Sequence, residues 1–218
     1  MIDKECEFGT AIFENQNRVE SDLPKTYPEL QFLKLHQIHS DRVVPADERP
    51  EKADGHWTRE TSKGLLIQTA DCMPIIMLGP KMLLAVHAGW RGIEQNIIRS
   101  AGQVIEQNAL STKDFYVFIG PHIQKESFEV DDDVASRLMD SVPIGYEEVR
   151  EQALLPHETK GKAFVDLDTI ARAQLESSGF ALEKTWISDL DTVADMSFHS
   201  YRREKTTGRQ WSFGYLKP

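Results

Sequence analysis

The chain has 218 residues, 40% apolar and 28% charged, the make-up of an ordinary water-soluble protein with a substantial core. Its 25 basic and 35 acidic side chains leave a net charge of −10, which argues against nucleic acid as the main partner. Two cysteines, Cys6 and Cys72, signal no disulfide framework and fit a reducing compartment. The first residues carry no secretory signal, and no apolar run reaches the ~20 residues of a membrane span. The expectation is a cytoplasmic monomer without a membrane partner.

Along the chain, residues 1 to 30 are polar, with Asn15-Gln16-Asn17, Ser21-Asp22-Leu23-Pro24 and an edge strand expected over Phe8 to Phe13. Phe32 to Val44 alternates apolar and polar positions as a strand does, placing His36 and His39 on opposite faces. Pro45 to Lys63 reads as a polar loop in which Asp54-Gly55 favours a tight turn. The His56-Trp57 pair in it covers the core or lines a pocket mouth.

Gly64 to Gly92 is the stretch on which the rest is hung. Leu65 to Leu78 holds two apolar runs interrupted by Thr69-Ala70-Asp71-Cys72, and Met82 to Val86 is a third, ending at His87-Ala88-Gly89-Trp90-Arg91-Gly92. Short apolar runs bounded by Gly and Pro read as buried strands, and Gly79-Pro80-Lys81 marks a turn. A hairpin there brings Cys72 and His87 together. Taken singly, a cysteine packs as a small hydrophobe and a strand-end histidine is a hydrogen-bonded core residue. In company they are a candidate site, because Asp71 sets a carboxylate in an apolar run and Arg91 an anion-binding fork in a glycine-flanked turn.

Ile93 to Gln107 then reads as one helix, with Ile93, Ile97, Ile98, Ala101, Val104 and Ile105 on a stripe. Its first N–H groups would favour an anion beside Arg91. Phe115 to Ile119 is a buried strand closed by Gly120-Pro121-His122, Val130 to Met139 a short helix, and Val142 to Pro156 irregular. A helix over Asp168 to Ser178 takes Asp168 as N-cap and Gly179 as stop. Glu183 to Leu190 suggests a strand, and Phe198 to Tyr215 a final hairpin. Interleaved strands and helices without an evident linker predict a single α/β or α+β domain over residues 1–218.

Cys72, His87 and His39 form a one-sulfur, two-nitrogen set of the kind zinc accepts, leaving a fourth position for water. The three come from separate strands and match no compact zinc motif, so a metal site and ordinary core packing both stay open at this point.

Gln37-Ile38-His39, Ala53-Asp54-Gly55, Thr69-Ala70-Asp71-Cys72-Met73-Pro74, His87-Ala88-Gly89-Trp90-Arg91-Gly92, Gly120-Pro121-His122-Ile123 and Phe128-Glu129-Val130 occur in the order found in the multicopper-oxidase-like laccase-domain family, also called YfiH-like. The tail, Ser200-Tyr201-Arg202-Arg203 through Thr207-Gly208-Arg209-Gln210, resembles the family's end, so the likeness covers residues 31 to 218. It implies an α/β/β/α layered sandwich with mixed sheets, resembling the cytotoxic deamidases, and zinc on His39, Cys72 and His87. It also implies purine nucleoside phosphorolysis (adenosine, guanosine, inosine, methylthioadenosine) with adenosine deamination; copper-dependent oxidation of phenols is the older alternative. Two features depart from the family: the segment before residue 31 is short and lacks its Asn-Leu and Asn-Arg signatures, and Asp191-Thr192 stands where Cys-Thr is common.

On that basis Cys72, His87 and Asp71 are the candidate catalytic residues, Asp71 as acid/base or histidine orienter, or else as a structural carboxylate. Arg91 and Asp54 are the candidates for holding nucleoside or phosphate. A metal-free hydrolase with Cys72 as nucleophile and His87 as base, a copper oxidase and a non-catalytic zinc module are the competing readings.

Overall fold

The computed structural model describes residues 6–12, as backbone alone, and 22–217. The strands are β1 (Cys6–Ile12), β2 (Gln31–Leu33), β3 (Val43–Pro45), β4 (Gly55–Thr58), β5 (Lys63–Thr69), β6 (Met73–Gly79), β7 (Met82–Ala88), β8 (Tyr116–Ile119), β9 (Glu129–Asp131), β10 (Leu154–Pro156), β11 (Lys162–Val165), β12 (Thr185–Ile187) and β13 (Gln210–Leu216). The helices are α1 (Trp90–Glu94), α2 (Ile97–Gln107), α3 (Asp132–Asp140), α4 (Glu147–Ala153), α5 (Leu167–Ser177) and α6 (Tyr201–Glu204), besides a helical turn over residues 22–26. Among the described residues, no helix is long and apolar enough to cross a membrane.

Side-chain alternation along the long strands sorts them into layers. In β5, Leu65 and Ile67 face one way and Leu66 the other; in β13, Trp211, Phe213 and Tyr215 share the side of Leu66. β6 and β7 are apolar on both faces, as a central layer must be: Ile76, Leu78, Leu83 and Ala85 pack against Leu65 and Ile67, while Ile75, Met77, Leu84 and Val86 meet Ile93, Ile97, Ile98 and Ala101. A four-stranded mixed sheet, β1-β13-β5-β2, therefore lies on a six-stranded mixed sheet, β12-β8-β6-β7-β4-β3. Helices cover the outer face of the second sheet. Leu23, Tyr27 and Leu30 cover that of the first. These are the expected α/β/β/α layers; a small antiparallel sheet, β10-β11-β9, is added.

The expected edge strand is β1, outermost beside β13; Phe13 and Asn15 to Ser21 lie outside the described residues. Several local expectations are corrected. Phe32 to Val44 is no continuous strand: after β2 the chain leaves the sheet, and His39 takes a φ of 61°. The loop over Pro45 to Lys63 contains β4, whose His56 is buried in the inter-sheet layer while Trp57 packs towards the helices. The helix expected from Ile93 begins at Trp90 and breaks at Asn96, whose φ of 57° separates α1 from α2. Val142 to Pro156 holds α4 and β10 rather than irregular chain. Asp166, not Asp168, caps α5 by accepting from Thr169 N–H at 3.1 Å, and Gly179 does end it, with a φ of 82°. The strand near Glu183 shrinks to β12. The terminal hairpin is instead α6 followed by β13, which inserts between β1 and β5.

Candidate metal centre

β6 and β7 form the expected hairpin. Met73 faces Ala88 and Pro74 faces His87, so Cys72, one residue before β6, sits beside Gly89 and near the His87 ring. The third donor arrives on the chain between β2 and β3. The Asp54 carboxylate gathers it: Ile38, His39 and Ser40 donate their N–H groups at 3.1, 2.9 and 2.6 Å, and Ser40 Oγ adds a bond at 2.8 Å. Three amides converging on one carboxylate curl the loop and force His39 into the left-handed region, where a histidine is uncommon. Gln37 completes the clamp, its amide donating to Gln68 O at 2.8 Å and accepting from Gln68 N–H at 3.0 Å.

The result is one cluster in which the ligand atoms of His39, Cys72 and His87 all lie within 4.8 Å of one another. Cys72 Sγ is 4.0 Å from His39 Nε2. Donors bound to one zinc at about 2.0–2.3 Å sit roughly 3.5 Å apart, so small side-chain rotations close the set. Asp54 Oδ1 receives His87 Nδ1–H at 2.8 Å, which leaves Nε2 as the ligating atom, the carboxylate–histidine arrangement usual behind a metal. Burial pushes the Cys72 thiol up, but His87 and His39 beside it more than reverse that and hold it at about 6. Burial likewise opposes the charge on His87, and Cys72 and Asp54 outweigh it and raise its pKa. Burial also raises the Asp54 carboxyl, yet His87 and the amides hold it at about 2. A ready thiolate flanked by two imidazoles fits zinc or copper(I) by its donor chemistry. Gly89 makes room for it: a Cβ there would stand 3.0 Å from Cys72 Sγ and 3.1 Å from His39 Cδ2.

These donors line a cavity of about 300 Å³. Its remaining wall is Gln37, Gln68, Thr69, Ala70, Tyr201 and Arg209. A larger hollow of about 420 Å³, around the Pro80-Lys81 turn at the other end of β6 and β7, contains no histidine or cysteine.

The remaining candidates fall elsewhere. Asp54, expected at the ligand, is fully buried behind His87, where a carboxylate would repel phosphate; its place is that of orienter, the role considered for Asp71. Asp71 does not line the cavity. It has a φ of 90°, and its oxygens accept from Thr192 Oγ1 at 2.8 Å and Arg202 N–H at 2.6 Å, which ties the turn before Cys72 to the C-terminal segment. Arg91 is exposed, stacked 4.3 Å over the Trp90 ring, and off the cavity wall; the five-residue α1 behind it is too short for an anion site. Asp191 binds Ser127 Oγ and Val193 N–H in a loop and does not reach the donors. The arginine on the cavity wall is Arg209, whose Nη1 donates to Thr206 O at 3.1 Å and Gly208 O at 2.6 Å. Its sequence signal was the tail Thr207-Gly208-Arg209-Gln210, whose approach to the hairpin required knowing that β13 pairs with β5.

The model of the family described as multi-copper polyphenol oxidoreductase laccase matches residues 7–217. The chain belongs to this family. Within it, the chain is 29% identical over 211 residues to the purine nucleoside phosphorylase PA4543 of Pseudomonas aeruginosa, covering 95% of this chain and 81% of that one. It is 32% identical over 201 residues to the purine nucleoside phosphorylase YlmD of Bacillus subtilis, covering 83% and 69%. Among solved structures, the YfiH protein of Bacillus licheniformis superposes with a TM-score of 0.83 at 25% identity, covering 96% of this chain and 85% of that one. The Neisseria meningitidis protein NMB0706 gives 0.80 at 27%, covering 96% and 86%.

Proposed function

We propose that the chain is a zinc-dependent purine nucleoside phosphorylase acting on adenosine, inosine, guanosine and methylthioadenosine, with adenosine deaminase activity. The observation that carries this is the convergence of His39, Cys72 and His87 on the wall of a cavity that also holds Arg209, in a chain whose relatives are named phosphorylases. When bound by the three donors, zinc supplies Lewis-acid polarisation and a position for a small ligand. Phosphorolysis breaks the bond between the anomeric carbon and purine N9, joins a phosphate oxygen to that carbon, and gives the leaving purine a proton. Arg209 holds the phosphate, and the half-exposed Tyr201 offers a flank for the purine ring. Asp54 keeps His87 Nε2 turned towards the cavity throughout. Deamination adds water at the purine carbon bearing the amine and releases ammonia.

The test is hypoxanthine and ribose 1-phosphate from inosine plus phosphate, and inosine from adenosine. Cys72→Ala should abolish both. Turnover unchanged in that variant after chelation would reject the reading.

A second reading has one observation in its favour. Cys72, His87 and Asp54 also have the order nucleophile, base and orienter of a cysteine hydrolase. The convergence of a second imidazole, His39, on the sulfur favours a ligand shell over a dyad. Alkylation separates the two: a metal-bound thiolate reacts slowly with iodoacetamide until a chelator is added, whereas a hydrolase nucleophile reacts at once. The copper-oxidase reading needs several copper centres, and the described residues gather one three-donor cluster.

A further inference from the structure

One hydrogen bond ties together two parts of the cavity wall that come from distant parts of the chain. Asp71 Oδ2 accepts from Arg202 N–H at 2.6 Å. Cys72 follows Asp71 and Tyr201 precedes Arg202, and both of these neighbours line the cavity. Asp71 itself is buried, and its other oxygen accepts from Thr192 Oγ1 at 2.8 Å. Hydrogen bonds to a carboxylate are the stronger kind, and a buried one that is broken leaves its partner unpaired.

Thr192 and Arg202 are the two ends of one stitched segment. Arg203 donates from Nη1 to Thr192 O at 3.0 Å and Val193 O at 2.9 Å, and from Nη2 to Phe198 O at 2.7 Å. Ser200 caps α6 by accepting from Arg203 N–H at 3.1 Å. The Asp71 carboxylate therefore holds this segment at both ends against the chain at Cys72. Tyr201 depends on that hold, because it is 52% exposed and packing does little to place it. The cation over its ring, Lys205 Nζ at 4.6 Å, sits on an exposed side chain that follows α6.

We infer that Asp71 is a positioning residue: it sets Tyr201 against the Cys72 sulfur, and so fixes how a nucleoside lies between them. This rests on the reading of the cavity as a nucleoside site with Tyr201 beside the purine. It also replaces the acid/base role considered for Asp71. A carboxylate off the cavity wall, with both oxygens engaged by the protein, is not placed to pass a proton to a ligand.

The experiment measures zinc content, melting temperature, and kcat and KM for inosine in the zinc-loaded parent, Asp71→Asn, Asp71→Gly, Tyr201→Ala and the Asp71→Gly/Tyr201→Ala double variant. Asp71→Asn keeps an oxygen for Arg202 N–H and turns its amide to the Thr192 hydroxyl, which can also accept. Asp71→Gly suits the φ of 90° and deletes the carboxylate. The expected result for Asp71→Asn is kcat and KM within about threefold of the parent's. In Asp71→Gly the inosine KM should rise about fivefold, the scale of one aromatic contact, with zinc still stoichiometric. In the Tyr201→Ala background the same change should raise KM no further, because the side chain through which it acts is gone. A greater loss of kcat in Asp71→Asn would make Asp71 a proton donor or acceptor and overturn the positioning role. So would an unchanged KM in Asp71→Gly, or effects of Asp71→Gly and Tyr201→Ala that simply add. Should Asp71→Gly fail to fold or to hold zinc, Thr192→Val puts the same question, since it keeps the shape and removes one of the two bonds; its KM should rise in the parent background and not in Tyr201→Ala. Each of these failures leaves the phosphorylase reading standing as long as the parent converts inosine. A parent that does not convert it overturns both.

Discussion

Asp54 serves two parts of the centre with one carboxylate. It folds the loop that carries His39 and orients the ring of His87, so two of the three donors depend on it. Asp54→Asn should cut zinc affinity by about 10–100-fold, measured by competition with a chromogenic chelator. Gly89→Ala acts more locally. Its methyl group would press on the sulfur at 3.0 Å, and the expected outcome is substoichiometric zinc by elemental analysis with the fold retained by circular dichroism. Cys72 and His87 were legible as neighbours in the sequence because a hairpin between apolar runs sets its own register. The part played by Asp54 was not. Asp-Gly serves equally well in a tight turn, and only the returning loop shows which amides the carboxylate collects. Arg91 shows the converse: its local sequence promises an anion site, and its guanidinium lies over the neighbouring Trp90 ring rather than on the cavity wall.

At the scale of elements, runs that are apolar on every residue declared themselves, and elements shaped by their neighbours did not. β4 reads Gly-His-Trp-Thr and has no apolar alternation; it is a strand because β7 and β3 pair with it on either side. His56 within it has a pH consequence. Burial pushes its pKa down to about 3, against a smaller opposing effect of its bond to the Leu66 backbone. The unfolded chain takes up that proton near pH 6.5 and the folded chain refuses it. Stability associated with neutral His56 is therefore complete above pH 6.5 and is lost as the pH falls from there towards 3, by on the order of a few kcal/mol. Urea unfolding at a series of pH values should show a shallower acid loss in His56→Gln than in the parent. Asn96 holds the break between α1 and α2, its side chain capping α2 by accepting from Arg99 N–H at 3.0 Å. Asn96→Gly should cost only the cap. Asn96→Ala should cost about 1 kcal/mol more, from the added strain of a left-handed alanine. No periodicity argument finds such a break, because the apolar stripe runs straight through it from Ile93 to Ile97.

Across the whole molecule, the three donors come from the loop after β2, the crossover from the four-stranded to the six-stranded sheet, and the end of β7. A metal held there ties the two sheets together at one end. Removing it should lower the melting temperature as well as activity, since binding to the folded state alone adds to stability. The layered fold followed from the order of apolar runs and from the family's motifs, whereas the insertion of β13 between β1 and β5, which brings Arg209 to the cavity, is a long-range pairing that no local pattern encodes. The most direct test of the convergence itself is X-ray absorption at the zinc edge of the zinc-loaded protein. The account predicts one sulfur at about 2.3 Å and two imidazole nitrogens at about 2.0–2.1 Å around a single zinc, with the sulfur scatterer lost in Cys72→Ser. A zinc shell without sulfur, or one unchanged in that variant, would contradict it.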